Sequence, residues 1–420
     1  RYTKPICVKK KIKIIYTNIT KGKKMGKFQD YVLYKENNLP IVSKVKLARN
    51  PGDEDFQPFV VDKDNHSNLR VLVKAFENSP QIGVGYTTMD KKTDGEIEPK
   101  LKKKIIYLTG GAVRDHLKGK TPRNYDLVTD ATSSEIKLIL KGNGFEETQA
   151  SRGNKSFFVN RADKKNKPIE FTVVINGENF ELSPLSKSIK NRNLNTGGSG
   201  TSNLEDDAAT RDFTINAMYI PLKNSEGENT ELLDVYGGAH HLKNGQIVSI
   251  GKFSKRVNED PMTAHRYLRM QARYGNEDIP EDHIKSMGKI SDLNKNYKKE
   301  YILGLENPEI NDRKYLDMYK NTGLLSTVYP MDNLSVDDVP EKAYNDRFLT
   351  SAWLMKDKSL DQVKFALSSA GWEPREVEDI AHLIGMYQAE RNNYPQVSTP
   401  CGLSDKKVSN WKNIYSSSAW

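Results

Sequence analysis

Four short stretches of this chain carry residue types that suit phosphate and metal-ion chemistry. The first is Gly110-Gly111-Ala112-Val113-Arg114-Asp115. Two glycines let a backbone turn approach a ligand closely. A helix starting there would offer free N–H groups to a phosphate, and Arg114 adds a bidentate phosphate partner. A tight turn that merely packs would use the same glycines. The second stretch is Asn124-Tyr125-Asp126. Residues two apart on a strand share a face, and two acids there would form the hard-oxygen Mg2+ site that nucleotidyl transfer needs. Position 124 is Asn, so one charge is missing, and Glu170 could supply a carboxylate from a neighbouring strand. The third stretch is Leu204-Glu205-Asp206-Asp207, followed by Arg211-Asp212-Phe213-Thr214-Ile215-Asn216-Ala217. On one helix, Arg211 and Asn216 would lie about one and a half turns apart and need not share a face. The fourth runs from Glu259-Asp260-Pro261 to Arg266-Tyr267-Leu268-Arg269. Arg266 and Arg269 are three apart and share a helix face. They suit a base edge or a phosphate, or form a solvated basic stripe.

These residues need elements to hold them. Ile105–Leu108 is a short apolar run and predicts a buried strand ending at Gly110-Gly111. Ala112–Leu117 then starts a helix that Gly119 closes. Asn124–Val128 alternates and reads as a second strand, and Thr132-Ser133-Ser134-Glu135 is a helix N-cap signal. Phe157–Val159 and Ile169–Ile175 predict two more strands. Residues 183–203 are rich in Gly, Ser, Thr and Asn, with Lys187, Lys190 and Arg192 but no acid, and read as a flexible basic loop. Helical order resumes over Leu204–Met218. From about Phe253 the chain reads as helical, with amphipathic stretches such as Leu360–Leu367 and Val377–Ile384. Upstream, 26–100 is polar and turn-rich, Asp90–Gly95 reads as a hairpin loop, and Lys100–Lys104 is a charged link.

Composition bounds the class. The chain has 420 residues with 65 Lys+Arg, 55 Asp+Glu and a net charge of +10. Residues 1–24 contain nine basic residues and no acid, leaving +1 for the rest. The basicity therefore belongs to the leader, and it is not by itself an argument for nucleic-acid binding. Purine-rich codons for Lys21-Gly22-Lys23-Lys24 before Met25 suggest the hypothesis that residues 1–24 are upstream sequence and Met25 the natural start, the alternative being a disordered basic arm; mass spectrometry of the native N-terminus tests it. Two cysteines, Cys7 and Cys401, exclude a disulfide framework and fit a reducing compartment, expected to be the cytoplasm. The sequence has no apolar run of membrane-spanning length.

In this order, the motifs resemble the class II tRNA nucleotidyltransferase and bacterial poly(A) polymerase family, over about residues 105–330. Gly110–Asp115 is similar to its Gly-Gly-x-Val-Arg-Asp motif, and Asn124–Asp126 falls where its Asp-x-Asp belongs. Leu204–Asp207, Arg211–Ala217, Leu233–Leu242 with Gly237-Gly238, and Glu259–Arg269 are similar to its later motifs. The resemblance implies an α/β head, a small mixed nucleotidyltransferase-like sheet with helices, over 105–235. A helical neck with a nucleotide-binding helix follows over 236–330, and a mostly α-helical body and tail over 331–420 that the chain's end can cut short. A small α+β extension over 25–104 precedes them.

The resemblance further implies attack of an RNA 3′-hydroxyl on the α-phosphate of ATP or CTP, with Mg2+ as cofactor and RNA as partner. Asp126, Asn124 and Glu170 would serve metal and catalysis. Gly110, Gly111, Arg114, Asp115, Arg211, Asp212, Asn216, Asp260, Arg266 and Arg269 would bind nucleotide, with Asp260 helping to select the base. The loop 183–203 matches the family's mobile segment. Three positions depart from the pattern: Asn124 replaces the first metal aspartate, Thr263 the base-selecting arginine, and Thr210 the first arginine of the Arg-Arg-Asp element. Three readings therefore stand: an RNA 3′-end nucleotidyltransferase of CCA-adding or poly(A) type, a nucleotide- or RNA-binding protein with weakened catalysis, and a transferase acting on a non-RNA acceptor.

Overall fold

A computed structural model describes residues 43–46, 59–62, 64–91, 97–122, 124–148, 156–162, 168–185, 203–223, 228–229, 231–276, 278–392 and 402–417. The leader 1–24, most of the loop 183–203 and the tip of the 90–95 hairpin lie outside the described residues.

In chain order the first half runs β1 (Ser43–Lys46), β2 (Phe59–Val60), α1 (Ser67–Glu77), β3 (Tyr86–Lys91), β4 (Ile97–Lys102), β5 (Ile106–Thr109), α2 (Gly110–Leu117), β6 (Tyr125–Thr129), α3 (Ser133–Gly142), β7 (Glu146–Glu147), β8 (Ser156–Ala162), β9 (Pro168–Ile175) and β10 (Glu178–Pro184). After α4 (Leu204–Thr210) come β11 (Met218–Leu222), β12 (Glu228–Asn229), β13 (Glu231–Asp234) and α5 (Gly238–Lys243). The second half is helical: α6 (Phe253–Glu259), α7 (Met262–Tyr274), α8 (Glu281–Met287), α9 (Lys295–Leu305), α10 (Asp312–Asn321), α11 (Leu325–Val328), α12 (Arg347–Leu354), α13 (Leu360–Ser369), α14 (Pro374–Arg391) and α15 (Asp405–Ser417).

Among the described residues, nine strands form one mixed sheet in the order β1-β13-β11-β5-β6-β10-β9-β8-β7. The apolar run that predicts β5 is buried on both faces, as a central strand requires. β5 and β6 are antiparallel and pair Thr109 with Asp126, whereas β6 and β10 are parallel and pair Asp126 with Glu181. The Thr132 cap forms with Glu135 as a reciprocal capping box at the start of α3. An α/β head followed by helices is thus the observed architecture. No helix among the described residues is long and apolar enough to cross a membrane.

One upstream stretch gains an element, and three local expectations need correction. Leu69–Phe76 belongs to a full helix, α1, whose Leu69, Leu72, Val73 and Phe76 are buried in the same core as Ile136 and Leu140 of α3. The N-terminal extension is therefore part of the head's packing, and β1 adds its edge strand beside β13. Lys104, assigned to a charged link, is buried: its backbone N–H donates to Ser79 Oγ at 2.9 Å and its ammonium meets Glu135 at 3.1 Å. Leu204–Met218 is not one helix, since α4 ends at Thr210, Arg211 turns to extended backbone and a 3-10 turn spans Thr214–Asn216. The loop read from residue 183 begins later, because β10 runs to Pro184.

Candidate nucleotide-binding site

The site forms where β5 gives way to α2. Gly110 has a φ of +62°, a backbone that L side chains disfavour. A Cβ there would stand 3.0 Å from Asp126 Oδ2. The Thr109–Asp126 register explains that closeness, since the glycine turn passes directly over the carboxylate. Asp126 lines a cavity of about 520 Å³ together with Gly110, Gly111, Arg114, Arg211, Asp212, Asn216, Asp260, Arg266 and Arg269. Ten of the predicted site residues are thus brought together.

The cavity walls also include Thr210, Arg256, Glu259, Thr263 and Met270. Five guanidinium groups, from Arg114, Arg211, Arg256, Arg266 and Arg269, face four carboxylates, from Asp126, Asp212, Glu259 and Asp260. Such a mixture suits a polyanion that arrives with cations. Arg256 escaped the sequence reading, although it lies one turn before the Glu259-Asp260 pair. Its Nε donates to the Ile250 carbonyl at 2.8 Å and its Nη2 to the Ala209 carbonyl at 2.7 Å.

A chain of polar contacts joins the walls. Arg114, itself buried, donates through Nη1 to Asn216 Oδ1, while its Nε is buried without a hydrogen-bond partner. Asn216 Nδ2 donates to Asp212 Oδ1 at 2.6 Å, and Asp212 Oδ2 stands 3.7 Å from Arg266 Nη1. Arg211 is held by Asp207, with Nε at 3.1 Å and Nη2 at 3.0 Å. The Tyr219 hydroxyl donates to the same Asp207 oxygen at 2.7 Å. Burial, reinforced by the charge of Asp207, pushes that hydroxyl far up, so it remains a donor. Arg211 and Asn216 share the cavity because the chain breaks after α4, with Asp212 Oδ1 accepting the Phe213 N–H at 2.9 Å.

Three predicted residues sit elsewhere. Asp115 turns to α7, pairing with Arg273 at 3.1 Å, and is not a cavity wall. Asn124 is exposed in the bend before β6 and does not line the cavity. Glu170 lies on β9, two strands from Asp126, because β10 intervenes. The carboxylate that the register brings beside Asp126, on the same face, is Glu181. Its signal was in the sequence: Asn176-Gly177, with φ values of 49° and 86°, is a hairpin turn between two apolar runs. Among the described residues, no three His, Cys, Asp or Glu side chains gather as a metal cluster. Mg2+ asks for less, since it keeps several waters and takes one or two carboxylates beside substrate phosphates. Asp126, which lines the cavity, fits that demand; Glu181 is registered beside it but, like Asn124, does not line the cavity.

Fold and site together join an α/β head, whose glycine turn and Asp126 face a cavity rich in arginine, to a helical second half. Comparison with known proteins gives the following similarities. Residues 106–248 match the model of the poly A polymerase head domain. The mitochondrial CCA tRNA nucleotidyltransferase 1 of Danio rerio is 31% identical over 172 residues, 41% of this chain and 36% of that protein. The Homo sapiens protein of the same name is 30% identical over 178 residues, 42% of this chain and 36% of its own. Poly(A) polymerase I of Escherichia coli O157:H7 is 30% identical over 182 residues, 42% of this chain and 35% of its own. The matches thus span about a third of those relatives. Among solved structures, the Thermotoga maritima CCA-adding enzyme complexed with tRNA superposes with a TM-score of 0.52 at 16% identity, covering 83% of this chain and 81% of that one. A CCA-adding enzyme with CTP gives 0.54 at 17% identity, with 83% and 81% covered. The resemblance read from the motifs therefore holds in sequence over the head and in fold over most of the chain.

Proposed function

We propose that this protein is a template-independent RNA 3′-end nucleotidyltransferase that transfers a nucleotide from ATP or CTP to an RNA 3′-hydroxyl and releases pyrophosphate. The observation that carries the reading is the Asp126 carboxylate lying against the Gly110-Gly111 turn in a cavity walled by five guanidinium groups. The α2 N-terminus and Arg114, both on the cavity wall, hold the triphosphate. Arg211, fixed by Asp207, adds a charge that need not be reorganised. Asp260 and Arg266 present an acceptor beside a donor to the base edge, as an amine next to a ring nitrogen requires. Asp126 on the cavity wall, with Glu181 registered beside it, would hold Mg2+, which when bound makes the hydroxyl a better nucleophile and neutralises phosphate charge. The acceptor is a tRNA end completed with C and A, or an RNA extended with A. The expected compartment is the cytoplasm, although the two vertebrate relatives are mitochondrial.

A second reading rests on Asn124 and Thr263. A carboxylate lost beside a cation costs on the order of 4 kcal/mol at 4 Å and an effective dielectric of 20, and each 1.4 kcal/mol or so is a decade of rate. On this reading the cavity binds nucleotide or RNA without efficient turnover. The test uses labelled tRNA lacking its 3′ end and an unrelated RNA, with Mg2+ and ATP or CTP separately. Extension abolished by Asp126→Ala establishes the enzyme. Extension seen only after Asn124→Asp puts the binding protein first. No extension by either rejects the transfer reading.

A further inference from the structure

Arg266 occupies a balanced position. Three carboxylates face its guanidinium from different elements: Asp212 Oδ2 at 3.7 Å, Asp260 Oδ2 at 3.9 Å and Glu300 Oε1 at 3.8 Å. None is within hydrogen-bond reach, so the donors of Arg266 are attracted but not consumed. Arg269, one turn further along α7, is engaged instead: its Nε donates to Glu300 Oε2 at 2.9 Å. Glu300 lies on α9, outside the segment that matches the head-domain model, and is largely shielded from water.

We propose that Glu300 is the positioning residue of the nucleotide pocket, holding Arg266 off Asp260 so that both remain available to the base of a nucleoside triphosphate. This rests on the nucleotidyltransferase reading above. Glu300 pulls on the Nε side of Arg266, while Asp212 and Asp260 pull on Nη1. Fixed to Arg269, the carboxylate cannot follow Arg266 into the cavity. Without Glu300 the other two pulls are unopposed. The guanidinium then needs to move only about 1 Å to reach the 2.7–2.9 Å of a charge-assisted hydrogen bond. That bond would occupy the Arg266 donors and, at Asp260, the acceptor that the base needs. Thr263 cannot take over, because its side chain is short and the residue is buried. A residue of α9 thereby sets the donor–acceptor pattern of a pocket that the head and the helical half build together.

The test measures ATP and CTP binding to the full chain with Mg2+ by calorimetry, beside steady-state extension kinetics. Glu300→Gln keeps the packing and one acceptor for Arg269 but removes the charge. It is expected to weaken nucleotide binding and raise KM about tenfold, equivalent to about 1.4 kcal/mol, while kcat changes less than twofold. Glu300→Asp, which keeps the charge, should recover part of the affinity. In an Arg266→Ala background, Glu300→Gln should cost nothing more, because its effect runs through Arg266. An unchanged KM in Glu300→Gln, or an equal loss on top of Arg266→Ala, overturns the positioning role and leaves the transferase reading standing. No nucleotide binding by the unaltered protein overturns both.

Discussion

The two adjacent glycines at the head of α2 should respond oppositely to the same substitution. Gly110 has a φ of +62°, and an added Cβ would meet Asp126 Oδ2 at 3.0 Å. An L residue in left-handed backbone costs about 1–2 kcal/mol, and the close oxygen forces the carboxylate to shift by a few tenths of an ångström. Gly111 has ordinary helical backbone, and its Cβ would meet Arg114 Nη2 at 3.5 Å and Asp126 Oδ2 at 3.8 Å, which is normal contact. Alanine in place of a helical glycine stabilises by roughly 0.5–1 kcal/mol. Gly110→Ala should therefore lower the melting temperature of the head by about 2–8 °C, and Gly111→Ala should leave it unchanged or raise it. Extension should fall at least tenfold in Gly110→Ala, because the displaced group is the Asp126 carboxylate itself. In Gly111→Ala the loss should appear in KM, since the new methyl lies on the cavity wall. Thermal melts and extension kinetics on the two variants separate these effects. Equal stability losses at both positions, or full activity in Gly110→Ala, would refute the left-handed turn over Asp126 as the organising feature.

Two further outcomes follow from placement and burial. Glu181→Ala should reduce Mg2+-dependent extension by about tenfold or more and raise the Mg2+ concentration needed, whereas Glu170→Ala should leave that Mg2+ dependence unchanged, because only Glu181 is registered beside Asp126; a Mg2+ titration on both variants decides it, and the reverse ranking restores Glu170. Burial pushes the Asp312 carboxyl up to about 6, with Oδ1 unpartnered and Oδ2 accepting only the Asn345 N–H at 2.7 Å. Its folded value lies above the unfolded one, so the folded state holds the proton longer and stability falls as pH rises from about 4 through about 6. Asp312→Asn should accordingly stabilise by about 1–2 kcal/mol at pH 7.5 and by almost nothing near pH 4. Urea unfolding at both pH values tests the sign, and a gain independent of pH contradicts it.

Much of this site is local chemistry, and local chemistry is legible in a sequence. Gly110-Gly111 after the apolar run Ile105–Leu108 predicts a strand, a tight turn and a helix start, because each depends on neighbours a few residues away. The Thr132–Glu135 capping box, the shared face of Arg266 and Arg269 and the helical second half are legible for the same reason. Asn176-Gly177 also announces β10, and with it Glu181 beside Asp126, but a turn signal names a hairpin without naming the strand it will pair with. That neighbour is chosen by the β6–β10 register, which no local propensity encodes. The bond from Arg114 to Asn216 spans 102 positions. Glu300 reaches Arg269 across 31. Asp115 faces Arg273 rather than the cavity, and Lys104 is buried against Ser79 and Glu135. Residue types suited to a triphosphate, and the short elements that carry them, are local properties of the chain. Tertiary structure decided which of those charges meet, because side-chain partners are set by the burial of distant apolar faces and charged groups go where that packing leaves them.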